Sequence, residues 1–110
     1  KDSLELTDDD RCTIRDTITK HPHQQIVITH GTDTMTETAR CLADLDDRTI
    51  VLTGSLAPAR FAMTDAMFNI GMAMAAAQSK SPGIYICMNG SVFTADHVHK
   101  DRDQNAFIAD

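Results

Sequence analysis

The chain has 110 residues, which is enough for one domain and too few for two ordinary ones. Hydrophobic residues make up 42% of it and charged residues 24%, which excludes disordered and low-complexity proteins, and no apolar run approaches the ~18–20 residues of a membrane span. The net charge is −6 without a lysine or arginine cluster, so we expect neither a nucleic-acid nor a membrane partner, although one well-placed base can hold a small anionic ligand.

The first half of the sequence predicts two helices around one strand. Residues 7–20 open with T-x-x-D, which resembles a capping box, and carry a thin apolar face up to a His-Pro stop. Residues 25–29 are a β-branched run, typical of a strand covered on both faces. A polar loop at 30–34 follows, and apolar residues at helical spacing then predict a second helix from Met35 to about Asp46 and Asp47.

The second half repeats this cycle. Residues 49–53 predict a second buried strand, and the stretch to Met63 is predicted to be a loop. A third strand is expected at 83–88. Asn89-Gly90 after it predicts a tight turn into residues 91–93.

A third helix is predicted between these strands, capped by Thr64 and Asp65. Its expected apolar side comprises Met67, Ile70, Gly71, Met74 and Ala77. We expect the run 73–77 to bring this helix close to the sheet, and the methionines to fill the core.

Strands that alternate with helices predict an α/β fold, an open three-layer sandwich with a mostly parallel, flavodoxin-like sheet. Ligands of such sheets bind beyond the carboxyl ends of the strands. Three loops lie there: residues 30–34, residues 54–63 and the region after Met88. The polar residues that could carry chemistry lie in the same loops, which makes them the candidate site.

The loop at 30–34 combines two hydroxyls, a carboxylate and a glycine directly before a helix. Its glycine allows close approach of a ligand, and the helix start offers free N–H groups to a carboxylate or a developing oxyanion. A threonine hydroxyl becomes a nucleophile when a neighbouring base activates it. The alternative is structural, since Thr32 and Asp33 are also the residue types that cap a helix.

Other candidate sites are weaker. Histidines with one intervening residue at 21–23 and 97–99 could share a metal, but neither pair has a convincing third ligand, and we expect exposed loop histidines. No phosphate loop follows a strand, and Ser55 only loosely resembles a nucleophile elbow. The three cysteines, at 12, 41 and 87, predict reduced, buried thiols in a reducing compartment, hence a cytoplasmic location.

A series of colinear motifs resembles the bacterial-type asparaginase/glutaminase family. Residues 30–39 read H-G-T-D-T-M-T-E-T-A, close to the second signature of that family. Residues 51–58 follow its V-L-T-G-A-M-R-P pattern, and Asp65 with Asn69 follows its D-x-x-x-N helix start. Residues 92–100 end on the lysine of its M-N-x-x-V…V-x-K stretch, and residues 2–7 resemble its D-S-S-x-M-T segment.

This resemblance implies a site. Thr32 would be the family's second catalytic threonine, Asp33 the acid beside it and Lys100 the lysine that completes a Thr–Lys–Asp set. Asp33 would also bind the α-amino group of the substrate, Ser3 its α-carboxylate, and Gly31 would line the binding site. The implied reaction is hydrolysis of the side-chain amide of asparagine, with glutamine as a second substrate, to the acid and ammonia. No metal or organic cofactor is implied.

Two family features do not occur in the 110 residues: the first signature, T-G-G-T-I, which carries the primary threonine nucleophile, and the C-terminal domain. Because the chain opens at Lys1 without an initiator methionine, we expect a piece of something larger. Residues 1–110 would then be a single asparaginase N-terminal-type domain without its first strand and loop. Leu4 is also apolar where many members are polar. We expect a homodimer, and no turnover by these residues alone.

Two further hypotheses stay open beside the enzyme. One is a member of the same fold that binds an amino acid without turnover, and the other is a plain interaction domain in which Thr32 and Asp33 only cap a helix. The catalytic hypothesis predicts that the Lys100 ammonium lies within about 4 Å of the Asp33 carboxylate, whereas an exposed lysine in a polar tail would contradict it.

Overall fold

The computed structural model describes residues 3–56 and 62–110, with side chains for 4–56 and 65–110. Short 3-10 turns lie at Ser3–Glu5 and Ala95–His97. The helices and strands of this described part follow in the order α1 (Asp8–Lys20), β1 (Gln25–Thr29), α2 (Met35–Cys41), β2 (Thr49–Thr53), α3 (Ala62–Ser79), β3 (Gly83–Met88), β4 (Ser91–Thr94), β5 (Val98–Asp101) and β6 (Ala106–Ala109). No helix within these ranges is long and apolar enough to cross a membrane.

The sheet is mostly parallel, as predicted. β1, β2 and β3 run parallel in that order, and β4 pairs with β3 in the antiparallel direction. Gln25, Thr49 and Gly83 are register partners at the start of the three parallel strands. The carboxyl ends of these strands therefore reach the same edge of the sheet. The predicted bounds of all three are confirmed.

Both faces of the sheet are covered, because successive side chains of a strand point to opposite sides. One core lies between the sheet and the first two helices, and its largest strand residues are Ile50, Leu52 and Ile86. The other core lies under α3, where Val51 and Cys87 meet three buried alanines, at 73, 76 and 77. Small side chains let this helix lie close to the strands, which confirms the expectation for the alanine run and completes a three-layer α/β/α fold.

The capping box of α1 is also confirmed. The backbone N–H of Asp10 donates to Thr7 Oγ1 over 3.2 Å, and the backbone N–H of Thr7 donates to Asp10 Oδ2 over 2.9 Å. Each bond satisfies a backbone donor that the first turn of a helix leaves open.

The second helix is shorter than predicted. α2 ends at Cys41, and successive turns rather than a helix carry the chain to Arg48. Leu42 and Leu45 nevertheless reach the core, because these turns keep their side chains on the side that the helix buries. Apolar spacing therefore continues past the helix end, and the pattern alone could not mark it.

The third helix differs from its prediction in two ways. It begins at Ala62, so the predicted cap at Thr64 and Asp65 lies inside the helix. Its buried face is formed by the alanines and Asn69, whereas Met67 and Met74 are 68% and 52% exposed. Because α3 packs close to the strands, only its small side chains fit between helix and sheet, and the two methionines face outward. Two other predictions for single residues were wrong as well, since the cysteines at 12 and 41 are exposed.

The sequence did not predict the β5–β6 hairpin, a region that was described as an exposed polar tail only in the alternative to the catalytic hypothesis. Its turn is held by Asp101, whose carboxylate accepts bonds from the backbone N–H groups of Asp103 and Gln104. Asn105 adopts a left-handed backbone (φ 50°), and its side chain donates to the Leu56 carbonyl over 3.2 Å. The hairpin is thereby fastened to the loop that follows β2.

The loops after β1 and β2 meet backbone to backbone at Gly54. The His30 N–H donates to the Thr53 carbonyl over 2.9 Å, and a Cβ atom on Gly54 would lie 2.3 Å from the His30 carbonyl oxygen. No side chain can be accommodated there unless one of the two loops moves.

We therefore expect Gly54→Ala to lower the free energy of unfolding by about 1–3 kcal/mol, as overpacking does elsewhere, measured by chemical denaturation. Gly71→Ala is the matched control, because nothing lies within 4 Å of its added Cβ on α3. This control should be neutral or stabilising by up to about 1 kcal/mol, since alanine is the better helix former. Equal stability of the two variants would contradict the contact.

Candidate active site

Three side chains from two distant parts of the sequence meet at the carboxyl edge of the sheet. Thr32 and Asp33 follow β1, and Lys100 lies on β5. Lys100 Nζ donates to Thr32 Oγ1 over 2.9 Å and to Asp33 Oδ1 over 2.8 Å. The predicted distance limit of about 4 Å between Lys100 and Asp33 is thus met.

Lys100 is largely withdrawn from water, with 12% of its side chain exposed. Alternation along β5 explains this, because Val98 is buried in the core, His99 is exposed, and Lys100 again faces inward. An ammonium with so little hydration needs partners. The hydroxyl and the carboxylate supply them.

Asp33 interacts with a second cation. Arg102, in the hairpin turn, brings its Nε to 3.7 Å from Asp33 Oδ1 and donates from Nη2 to the Asp33 carbonyl over 3.4 Å. The hydrogen bond from Lys100 and the positive charges of Lys100 and Arg102 lower the pKa of Asp33 below its ordinary value of 3.8. The carboxylate is therefore ionised at neutral pH.

A cavity of about 470 Å³ opens beside this ion pair. Its lining is mostly polar and is formed by Asp33, Thr36, His99, Lys100, Asp101, Arg102 and Asp103. Both signs of charge are present, which suits a small ligand that itself carries an ammonium and a carboxylate. The volume lies in the range of small-molecule sites.

The helix-capping alternative does not match the geometry. The N-cap of α2 is Thr34, so Thr32 and Asp33 lie before the cap. The side-chain hydrogen bonds of both go to Lys100. The side chains of Thr32 and Asp33 thus bind Lys100 and do not cap α2.

The other predicted binding residues are placed less fully. Gly31 lies in the same loop, and its carbonyl oxygen is 2.5 Å from His30 Nδ1. Ser3 lies in the N-terminal 3-10 turn, but its side chain is outside the described residues. Part of the predicted loop at 54–63, namely 57–61, is also outside them.

A second polar cluster fastens the neighbouring loops. Asp65, on α3, accepts bonds over 2.8 Å from the Ser55 hydroxyl, the Leu56 N–H and the Asn89 side chain. Asn69 is fully buried, donates to the Gly54 carbonyl and accepts from the Asn89 N–H. Ser55 is thus a structural partner of Asp65, in keeping with its poor match to a nucleophile elbow.

Sequence reasoning missed two contributors to the site. Arg102 was considered only in the alternative of an exposed polar tail, although its position two residues after Lys100 was a usable signal. Arg11 is buried with 6% exposure and donates from Nε to Thr38 Oγ1 over 3.0 Å. Its position in the first turn of an amphipathic helix gave no sign of burial.

Comparison with known proteins gives the family. The profile described as "Asparaginase, N-terminal" matches residues 1–108. The chain belongs to the asparaginase family. This asparaginase-type chain is 40% identical over 92 residues to a glutaminase-asparaginase of Acinetobacter glutaminasificans, which covers 79% of the chain and 28% of that relative.

Two further relatives extend the comparison. An L-asparaginase of Bacillus licheniformis is 41% identical over 85 residues, or 72% of the chain and 26% of the relative. A Haemophilus influenzae protein whose name describes a periplasmic L-asparaginase is 40% identical over 80 residues, or 67% of the chain and 23% of the relative. The chain thus spans about a quarter of the length of the curated relatives that it matches.

The ion pair predicts how Asp33 titrates. Lys100→Met should raise the pKa of Asp33 towards its ordinary value, because it removes the hydrogen bond that chiefly lowers it. In the unmodified chain a lowered folded-state pKa contributes stability above the unfolded value, and this stability is lost as the pH falls through the folded value.

The measurement is a carboxyl-carbon NMR titration of Asp33 combined with acid unfolding. Lys80→Met, which removes an exposed lysine beyond the end of α3, is the control and should leave the titration of Asp33 unchanged. If Lys100→Met also leaves the titration of Asp33 unchanged, the ion pair between Lys100 and Asp33 does not form in solution.

Proposed function

We propose that the chain is the N-terminal-type domain of an amidohydrolase that converts L-asparagine, with L-glutamine as a second candidate substrate, to the acid and ammonia. Thr32, Lys100 and Asp33 are the proposed catalytic set. The observation that carries the proposal is the position of Lys100 Nζ, within hydrogen-bond distance of both Thr32 Oγ1 and Asp33 Oδ1. The membership of the asparaginase family supports the reaction class.

The chemistry follows from this contact. A lysine that donates to a threonine hydroxyl stabilises negative charge that develops on the oxygen, and its amine form can take the hydroxyl proton. Asp33 Oδ1 fixes the lysine, while Oδ2 makes no hydrogen bond within the described residues. That second oxygen is the proposed partner of the substrate ammonium, and a charge-assisted bond there would be strong.

The binding roles of Gly31 and Ser3 belong to the same proposal. Gly31 borders Thr32, so a substrate held by Asp33 would pass close to its backbone. Ser3 is proposed to bind the α-carboxylate, on the strength of the D-S motif at residues 2–3. A homodimer and a cytoplasmic location complete the proposal, and the exposed thiols of Cys12 and Cys41 suit a reducing compartment.

A second candidate function is amino-acid binding without turnover. It concerns residues 1–110 alone, because the T-G-G-T-I signature with the family's primary nucleophile does not occur within them. We propose that these residues alone bind aspartate and do not hydrolyse asparagine, and that a longer polypeptide supplying the signature does. Ammonia release from the two forms distinguishes the candidates.

Thr32 is tested by removal of its hydroxyl. Thr32→Val should leave the free energy of unfolding within about 1 kcal/mol of wild type, because valine keeps the shape of the side chain. It should abolish ammonia release by the longer, active form, because the hydroxyl that accepts from Lys100 is lost. Thr32→Ser should retain activity, since it keeps the hydroxyl. Thr17→Val on the exposed side of α1 is the control. Activity of Thr32→Val within a few-fold of wild type would overturn the catalytic assignment.

Asp33 is tested by ligands that differ in one group. Asp33→Asn should weaken aspartate binding by about 1.5–3 kcal/mol, which is the range for hydrogen bonds to charged groups. Succinate lacks the amino group and should lose little affinity. Asp16→Asn, the same charge change on the exposed side of α1 and away from the cavity, should affect neither ligand. Equal losses for aspartate and succinate in calorimetry would contradict the proposed ammonium contact.

A further inference from the structure

A chain of three side chains runs from the first helix to the peptide bond before Thr32. Arg11 Nε on α1 donates to Thr38 Oγ1 on α2 over 3.0 Å. The same hydroxyl lies 2.8 Å from His30 Nε2, and His30 Nδ1 lies 2.5 Å from the Gly31 carbonyl oxygen. Thr38 is fully buried, and Arg11 is 6% exposed.

The partners fix where every hydrogen lies. A carbonyl oxygen can only accept, so His30 Nδ1 carries the hydrogen directed at Gly31. A neutral imidazole has one N–H, which leaves Nε2 as an acceptor. The Thr38 hydroxyl therefore donates to Nε2 and uses its oxygen to accept from Arg11. The bonds run in one direction, from Arg11 through Thr38 and His30 to Gly31.

A charged His30 would break this order. A second hydrogen, on Nε2, would point at the Thr38 oxygen that already faces Arg11, and the hydroxyl would lose its acceptor. Burial, followed by the charge of Arg11, lowers the pKa of His30 below 6.5, although its bond to Gly31 opposes the shift.

The charged groups around the ring come from the two helices packed against it. Arg11 faces it from α1. Two carboxylates interact with Arg11 and not with the ring: Glu37 Oε2 lies 3.5 Å from Arg11 Nη2, and Asp8 Oδ1 lies 3.6 Å from Arg11 Nη1. From the loop after β2 the neighbour is the backbone of Gly54, which lies against the His30 carbonyl. No other charged partner of His30 occurs among the described residues.

We propose that Arg11, Thr38 and neutral His30 are positioning residues that fix the Gly31–Thr32 peptide plane and so hold the Thr32 hydroxyl at Lys100. The Gly31 carbonyl and the Thr32 N–H belong to one rigid peptide unit. A hydrogen bond to the Gly31 carbonyl therefore also fixes the orientation of the Thr32 N–H. The backbone that carries the ring is also held, because the backbone N–H of His30 donates to the Thr53 carbonyl. The catalytic consequence rests on the proposed function, but the hydrogen-bond order does not.

The first test is nitrogen NMR of the imidazole in the 110-residue chain. At neutral pH the His30 spectrum should show a protonated Nδ1 and an unprotonated Nε2, which is the minor form of free histidine. Thr38→Ser should keep this form, whereas Thr38→Val should raise the fraction with a protonated Nε2, because it removes the one hydroxyl among the described residues that donates to Nε2. A protonated Nε2 in wild type at neutral pH would overturn the proposal.

The second test asks whether the order reaches Thr32. As the pH falls through the His30 titration, the Thr32 amide shift should move in the same step in wild type and in Thr38→Ser. If Thr38→Val does not fold, Arg11→Met replaces it, and in either variant the two titrations should separate. If the Thr32 amide shift in wild type does not change across the His30 titration, the positioning role is overturned.

Kinetics of the longer form complete the test. Thr38→Val should lower kcat about 10- to 100-fold, as a misplaced catalytic group does, and change KM less than about threefold. Thr38→Ser should restore kcat to within about threefold, and Thr13→Val on the exposed face of α1 should match wild type. Unchanged kcat in Thr38→Val would contradict the role in catalysis. An inactive wild type with the expected His30 spectrum would instead count against the proposed function alone.

Discussion

The parallel direction of β1, β2 and β3 is the constraint on which the remaining structure depends. Parallel strands cannot be joined by tight turns, so helices must cross the faces, and they cover both of them. The same direction sends every strand end to one edge. The loop with Thr32, the loop with Gly54 and the turn with Asn89 are thus neighbours because of sheet topology, before any side chain contributes.

At that edge backbone contacts bring the loops together, and polar side chains then lock them. Gly54 allows the loops after β1 and β2 to touch, and Asp65 with Asn69 binds the second loop to the turn after β3. The hairpin that carries Lys100 joins last, through Asn105 and Arg102. The site is thereby held from three sides, which is what a preorganised set of polar groups requires.

The sequence predicted the parts that follow from local pattern. The strand bounds and the capping box of α1 were right, because burial on both faces and N-terminal caps leave strong local signals. The outward face of α3 was predicted wrongly, since Met67 fits an apolar stripe as well as alanine does and only the closeness of the sheet decides between them. The β5–β6 hairpin and the burial of Arg11 depend on partners remote in sequence, and no periodicity reports them.

The contact between Lys100 and Thr32 also has a consequence for the order of folding, because it spans 68 residues. Contacts of such separation form after the intervening chain has collapsed, since the entropy of closing the loop must first be offset by other interactions. The strands β2 and β3 and the helix α3 lie between the two residues and supply those interactions. Assembly of the cluster of Thr32, Asp33 and Lys100 is therefore coupled to completion of the fold, because a nascent chain that has not yet added β5 lacks both Lys100 and the core residue Val98.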